Sequence, residues 1–411
     1  MADVIVAGAG PAGAVAARTL AAAGFDTLLV DRAAFPRNKP CGGGISVRAL
    51  TRFPWLAGAL ADIDVHRIAK LHLEGPDGAT LDLDSGDPTV LLIRRVEFDH
   101  ALVRAAEQAG AQTLSGFEIT QADADDHGVT LQSRDGRKLT ARTIVAADGV
   151  HSVIAKRLGV NPRWPRTSIA IDMMEETPNA TLRATRPDVL WVAYAYNGLD
   201  GYSYIFPKTD HVNVGIGCLL SHFDDEVGEA PYTLQEKFVS TLVARGELAG
   251  ASDRKHFTPY LIPVGGPLPK AWHGRVLFAG DAGGFVNAIT AEGIYYAMVS
   301  GELAGRAIVA TPSAAENGVA GKAYDKLWRD EIGTELADSV LMQKYLFASH
   351  DRVARAIRGA TSVAGLSDAI LDYVRGSLSY NGLRRRMLLK FPMALMHMAR
   401  ERVRRVQAVK R

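Results

Sequence analysis

The stretch from Val4 to Asp31, VIVAGAGPAGAVAARTLAAAGFDTLLVD, constrains the fold more than any other part of the chain. Val4, Ile5 and Val6 make the short apolar run that a strand buried on both faces requires. Gly8, Gly10 and Gly13 follow as G-x-G-x-x-G, the mark of a tight turn from a strand into a helix. Without side chains, Gly8 and Gly10 let the backbone bend and approach a pyrophosphate, while Gly13 lets the helix pack on the sheet. The helix opening near Pro11 directs its unsatisfied N–H groups and positive dipole end at such an anion. A second strand from Thr27 ends at Asp31, at the distance where a carboxylate meets a ribose hydroxyl. Strand, glycine turn, helix, strand and acid together predict a dinucleotide site in an α/β fold. Whether the nucleotide is NAD, NADP or FAD is not set by this stretch.

At 411 residues the chain is too long for one compact core, and two or three domains are expected. No stretch reaches the roughly 18 uninterrupted apolar residues that a membrane span needs. The first strand starts at once, which leaves no space for a secretory leader, so a cytoplasmic protein is expected. Cys41 and Cys218 cannot supply the four thiolates of an iron–sulfur cluster, and no metal site or nucleic-acid partner is expected. From Asn381 onward ten Lys or Arg face Glu401 alone, leaving 37 basic against 44 acidic residues in the body, a net charge of about −7.

Ala33 to Ser46 is a loop rich in proline and glycine, with Cys41 followed by Gly42, Gly43 and Gly44. Its glycines suggest close approach to a flat ligand. By spacing alone Cys41 reads as a small buried apolar residue, the usual state of a lone cysteine. Leu71 to Asp84 alternates about Gly75-Pro76-Asp77-Gly78 as a hairpin does. An amphipathic helix follows Arg95, and Ile144 to Ala147 is a further buried strand running into Asp148-Gly149. Between about Pro165 and Lys255 strand signals dominate, as in an antiparallel sheet inserted into the nucleotide-binding domain. Gly274 to Ala279 is a last buried strand, leading to Gly280-Asp281 and a small-residue helix to about Ala310, with helices beyond.

Three segments form a set: the glycine turn, Ala147-Asp148-Gly149, and Gly280-Asp281-Ala282. Together they resemble the FAD fingerprints of the p-hydroxybenzoate-hydroxylase-like flavoproteins, which implies FAD as the nucleotide. Within that superfamily, Lys39 to Gly44 (KPCGGG) and Tyr202 to Pro207 (YSYIFP), the latter followed by Gly215-Ile216-Gly217, are similar to the geranylgeranyl reductase family. The resemblance covers roughly residues 1 to 310. This chain departs at Ala288, where the family usually has proline, at Ala291, where it usually has glycine, and at Tyr204, where Trp is common.

The resemblance implies a Rossmann-like FAD-binding domain (1–70, 94–164, 256–310), an inserted, mostly antiparallel substrate sheet (71–93, 165–255) and a C-terminal helical region with a basic tail (311–411). The implied FAD contacts are Gly8, Gly10, Ala12, Gly13, Asp31, Arg32, Cys41, Gly42, Gly43, Arg95, Asp148, Gly149, Gly280, Asp281, Gly293 and Ile294. A helix opening near Thr290 to Gly293 would favour reduced flavin by roughly 0.3–2 kcal/mol. Arg95 is read equally as a cofactor neighbour or the partner of a structural carboxylate.

The implied reaction saturates double bonds of an isoprenoid. It needs a hydride from flavin N5, a proton for the other carbon, and an apolar channel. Tyr202, Tyr204, Phe206, Pro207, Gly215, Gly217 and Ala288 are the expected substrate contacts. Cys41, Tyr202 and Tyr204 are the candidate proton donors, and spacing does not choose among them. Alternate aromatics on a strand also serve plain sheet packing. The electron donor is expected to be NAD(P)H or a ferredoxin-type reductant. Met387, Phe391, Leu395 and Met398 fall on one face of a basic C-terminal segment, which suits peripheral membrane contact, a solvated tail or a helix packed on its own domain. Two alternatives stand beside the reductase: a monooxygenase on the same scaffold, and a flavoprotein acting on a protein partner. The oligomeric state is left open.

Overall fold

The computed structural model describes residues 2–311, 318–362 and 365–389. Its nucleotide-binding half is built on an eight-stranded sheet. Ala2–Ala7 lies at the centre, parallel to Thr27–Asp31 on one side and to Lys138–Ala146 on the other. Val276–Phe278 extends the parallel set beyond Lys138–Ala146, and Gln112–Ser115 extends it beyond Thr27–Asp31. Val4 to Ala7 are at most 1% exposed, as their unbroken apolar run requires.

The helix Pro11–Ala22 packs along the helix Ile294–Val309. Glycine permits the approach. A Cβ on Gly301 would lie 2.0 Å from the Ala12 carbonyl oxygen, and one on Gly305 would lie 3.0 Å from Thr19. The contacts advance in the same direction along both helices, so they run parallel and their N-termini open at the same end of the sheet.

The second half is a seven-stranded sheet whose centre is Ile169–Pro178, His211–Leu219 and Gly201–Pro207, antiparallel neighbours in that order. Val189–Tyr194 continues it and pairs parallel with Lys70–Glu74, the first strand of the expected hairpin with Thr80–Asp84. Two groupings expected from the sequence are corrected. Val90–Ile93 leaves this sheet and joins a small one with Gly44–Ser46 and Val65–Ile68. Phe257–Pro263, grouped by sequence with the nucleotide-binding domain, is instead the edge strand beside Ile169–Pro178.

A helix, Pro231–Ala244, also appears where strand signals dominate. Proline stands at its first position, and Leu234, Phe238, Val239 and Leu242 recur at helical spacing. Phe238, Val239 and Leu242 cap one face of the sheet, in a core with Met173, Trp191, Val214 and Ile216.

C-terminal helices lie over both halves. Tyr324, in the helix Val319–Trp328, donates to the Phe278 carbonyl at 2.9 Å. Glu335, in Thr334–Leu346, joins a buried cluster in which Arg48 contacts Glu335 and Glu292 at 3.2 Å each, with the Tyr296 and Tyr373 hydroxyls around it. Among the described residues no helix is long and apolar enough to cross a membrane. Of the proposed amphipathic face only Met387 is described; Phe391, Leu395 and Met398 lie outside the described residues, as does most of the basic tail.

Candidate active site

The glycine turn is a steric necessity. Gly8 has φ +97°, and a Cβ there would lie 2.3 Å from the Ala147 carbonyl oxygen. A Cβ on Gly13 would lie 1.8 Å from the Gly8 oxygen. Gly10 differs, because its missing Cβ faces open space and meets only the Arg37 guanidinium, at 3.7 Å. The helix that follows has no capping side chain and no acid in its first turn, so its first N–H groups are available to an anion.

Asp31 Oδ2 accepts from the Ala9 N–H at 2.8 Å, and Oδ1 accepts from Ala33 at 2.9 Å. The carboxylate therefore braces the turn from within. About two of a carboxylate's roughly four acceptor positions are used in this way, which leaves capacity for a ribose hydroxyl. Arg32, beside it, is exposed. Asp148 is turned inward, accepting from the Ile154 N–H at 3.2 Å at the start of the short helix Val153–Arg157, and burial raises its pKa. Gly149, at φ +82°, makes the turn between the strand and that helix.

A second cradle faces the first. Gly280, at φ +60°, packs against Ala12 and donates to Ser300 Oγ at 2.9 Å. Asp281 Oδ1 lies 3.7 Å from where a Gly293 Cβ would be, and the helix beginning at Ile294 has neither a capping side chain nor a first-turn acid. The helix starts at Ile294, after the expected Thr290 to Gly293, because those residues are held in a loop. Asn287 Oδ1 accepts from Ile289 and Thr290 at 3.0 and 3.2 Å, and Ala291 stands at φ +49°. Two uncapped, parallel helix N-termini beside close-packed glycines fit a long dinucleotide anion such as FAD.

Arg95 is nine-tenths buried and pairs twice with Asp99, at 2.6 and 2.7 Å. This is the partner that the structural-carboxylate reading calls for, and the same guanidinium also contacts Cys41. Cys41 is half-buried, and its carbonyl accepts from Asn213 Nδ2 at 3.2 Å. The Phe206 ring lies 3.0 Å from where a Gly42 Cβ would be, and Gly43, at φ +76°, lies against the Ile93 carbonyl.

Between these cradles and the second sheet is a small cavity, partly open to solvent, with about 40 Å³ of room for the centres of water-sized molecules. Of the residues named from the sequence as substrate contacts, Tyr202, Tyr204, Gly217 and Ala288 line it. Phe206, Pro207 and Gly215 do not reach its wall. Phe206 stacks behind Tyr204 with ring centroids 4.5 Å apart, and Pro207 ends its strand opposite Val212. Gly215 lies under the Tyr204 ring, 2.3 Å from it at the Cβ position. The Y-x-Y and G-x-G segments are therefore one device. They pair across the sheet as Tyr202 with Gly217 and Tyr204 with Gly215, each glycine opposite a large ring.

Sequence reasoning passed over Asp172, Asp200, Gln343 and Phe347, all in the cavity wall. The signal for Asp172 was available, since it is a lone carboxylate inside the apolar run IAIDMM. Burial raises its pKa to about 7, opposed by the Tyr204 hydroxyl and by Lys39. Both tyrosines have pKa values well above 10, chiefly through burial. Tyr202 donates to the Thr290 carbonyl at 2.8 Å, and Tyr204 to Asp172 Oδ2 at 3.1 Å.

The family profile described as FAD binding domain covers residues 1–318. The digeranylgeranylglycerophospholipid reductase of Methanocella arvoryzae is 32% identical over 357 residues, 81% of this chain and 84% of its own. The menaquinone reductase of Mycobacterium tuberculosis is 31% identical over 320 residues, 74% and 75% of the two chains. This chain belongs to the geranylgeranyl reductase family of FAD-dependent oxidoreductases. A solved geranylgeranyl bacteriochlorophyll reductase-like protein from Thermoplasma acidophilum shares the family fold with a TM-score of 0.77 at 20% identity, over 97% of this chain and 98% of its own. In such an oxidoreductase, bound FAD supplies two-electron chemistry. The chain's own residues bind the dinucleotide anion, shape the apolar cavity and place two carboxyls, Asp172 and Asp200, in its wall.

Proposed function

We propose that the protein hydrogenates C=C bonds of an isoprenoid chain of geranylgeranyl type, carried on a lipid, a quinone or a prenyl diphosphate. The observation that supports this best is the cavity. Its wall is predominantly aliphatic and aromatic, and its polar side chains are Asp172, Asp200, Gln343 and the two tyrosine hydroxyls. An isolated alkene has no carbonyl to polarise, so its reduction requires positioning, a hydride donor and one proton source. The reductant that recharges the flavin is proposed to be NAD(P)H or a ferredoxin-type protein. The basic segment after Asn381 is proposed to bring the enzyme to anionic membrane, where such lipids reside.

The test is anaerobic. The bound flavin is reduced with dithionite, a geranylgeranyl-chain lipid is added, and flavin reoxidation and product mass are recorded together. Reoxidation with a gain of two hydrogens in the lipid supports the reading. Flavin that stays reduced until oxygen is admitted, with the lipid unchanged, refutes it and directs the search to oxygen insertion.

A further inference from the structure

The three side chains that sequence reasoning offers as proton donors are poorly placed for the task. Cys41 does not line the cavity. Tyr202 directs its proton to the Thr290 carbonyl, and Tyr204 directs its own to Asp172. Asp172 has the geometry that they lack. It sits on the strand Ile169–Pro178, beside the edge strand of its sheet, it lines the cavity, and it is only 8% exposed. Oδ2 accepts from Tyr204, while Oδ1 is buried with no hydrogen-bond partner among the described residues. An orphaned buried carboxylate oxygen is costly unless it carries a proton or meets a ligand.

We propose that the Asp172 carboxyl, oriented by Tyr204, is the acid that protonates the alkene in this cavity. The inference rests on the reductase reading. With Oδ2 fixed by the tyrosine, the acidic proton resides on Oδ1. During reduction the Asp172 O–H bond breaks and a C–H bond forms at one alkene carbon. The other carbon takes a hydride from reduced FAD, which loses two electrons, and the π bond is consumed. The resulting carboxylate keeps the Tyr204 hydrogen bond, is further stabilised by the Lys39 ammonium, and regains its proton from solvent. Tyr204 is thus a positioning residue and Asp172 the catalytic one.

The groups facing Asp172 are consistent with an acid that is neutral near neutral pH and still able to ionise. Tyr204 and Tyr202 come from the aromatic strand Gly201–Pro207, beyond His211–Leu219, and Tyr260 is its register partner on the edge strand. Gly217 opposite it brings no charge. Lys39 approaches from the glycine-rich loop, stacked 3.9 Å over the Tyr260 ring, with burial lowering its own pKa. Asp200 stands elsewhere in the wall, and Cys41 is the next titratable group of the loop. Burial dominates this balance and holds the proton on Asp172.

The test uses the full-length FAD-loaded protein, with Asp172→Asn and Tyr204→Phe as variants. Carboxyl infrared difference spectra across pH provide the readout that does not depend on turnover. The wild type should show a protonated-carboxyl band titrating near neutrality, absent in Asp172→Asn. In Tyr204→Phe the midpoint should move upward, because a bond that favours the charged form is lost. With dithionite-reduced enzyme and a geranylgeranyl-chain lipid, Asp172→Asn should slow lipid-dependent reoxidation by roughly 10²- to 10⁴-fold while flavin content is kept. The pH–rate midpoint of Tyr204→Phe should follow its infrared midpoint. A band that titrates in the ordinary carboxylate range overturns the proposal. So does an Asp172→Asn enzyme within roughly tenfold of the wild-type rate. Wild type that leaves the lipid unreduced overturns the reductase reading itself, a distinct result from an active wild type with an unimpaired variant.

Discussion

The dinucleotide end and the cavity end of this site are built on different principles. At the dinucleotide end, function follows from what is absent: side chains missing at Gly8, Gly13 and Gly301, where a Cβ would lie 1.8–2.3 Å from a carbonyl oxygen. These demands are local or belong to one helix pair, and they tolerate no substitution. At the cavity end, function follows from what distant segments bring together: Asp172, Tyr204, Gly217, Ala288 and Phe347 come from five parts of the chain. A steric rule can be read from a string of residues. A shared cavity wall emerges only when the sheet has formed.

Gly13→Ala should have the largest effect. Its Cβ would meet the Gly8 oxygen at 1.8 Å, a backbone atom that no rotamer change can move. We expect a loss of roughly 3 kcal/mol or more together with loss of copurifying flavin, measured by urea unfolding and flavin absorbance. Gly10→Ala sharpens the point, because its Cβ faces open space. There, flavin binding should fall while the stability of the flavin-free protein changes by less than about 1 kcal/mol. Equal destabilisation by both substitutions would show that Gly10 also has a packing role and would break the distinction.

Asp172 ties stability to pH. Its folded pKa is raised from an ordinary 3.8 to about 7, so between those values the folded state holds a proton that the unfolded state has released. Wild-type stability should therefore fall as pH rises from about 4 to 7 and then level off, by an amount on the order of a few kcal/mol. Asp172→Asn removes this slope, so the variant should gain on wild type between pH 5 and pH 8. Parallel unfolding curves for the two proteins at both pH values would show that Asp172 titrates normally.

Gly215→Ala should act on the cavity and spare the cradle. The new methyl would meet the Tyr204 ring at 2.3 Å, and an aromatic ring can tilt where backbone cannot. A cost of about 1–3 kcal/mol is expected, with FAD retained and lipid-dependent reoxidation impaired as Tyr204 shifts away from Asp172. Loss of flavin in this variant would contradict the separation of the two ends.

The sequence exposes the two ends to different degrees for the same reason. The glycine turn, the parallel strands about Val4 to Ala7 and the hairpin at Gly75 to Gly78 depend on backbone conformation and periodicity, which neighbouring residues encode. The helix Pro231–Ala244 was hidden because the strand signals on either side outweighed its own 3.6-residue period. Arg95 could not be assigned until Asp99 was seen one helical turn away with both oxygens engaged. Phe347 could not be placed at all, since the helix Thr334–Leu346 that it follows reaches the cavity only through tertiary packing.

The smallest expected effect lies at the junction of the two ends, where the chain departs from its family. Ala291, at φ +49°, holds a backbone conformation that costs an L-residue about 1–2 kcal/mol, where the family usually has glycine. Ala291→Gly relieves that strain but adds roughly 0.5–1 kcal/mol of unfolded-state entropy, so a net stabilisation below about 1 kcal/mol is expected. Ala288 tells the opposite story. Its N–H donates to Ser339 Oγ at 3.0 Å in a buried position, so Ala288→Pro should destabilise by removing a donor and leaving that hydroxyl oxygen short of a partner. Melting temperatures of the two variants should therefore move in opposite directions although both restore the family residue. If both rise, the Ser339 contact is not part of the stable fold; if both fall, the loop has found a way to hold Ala291 without strain.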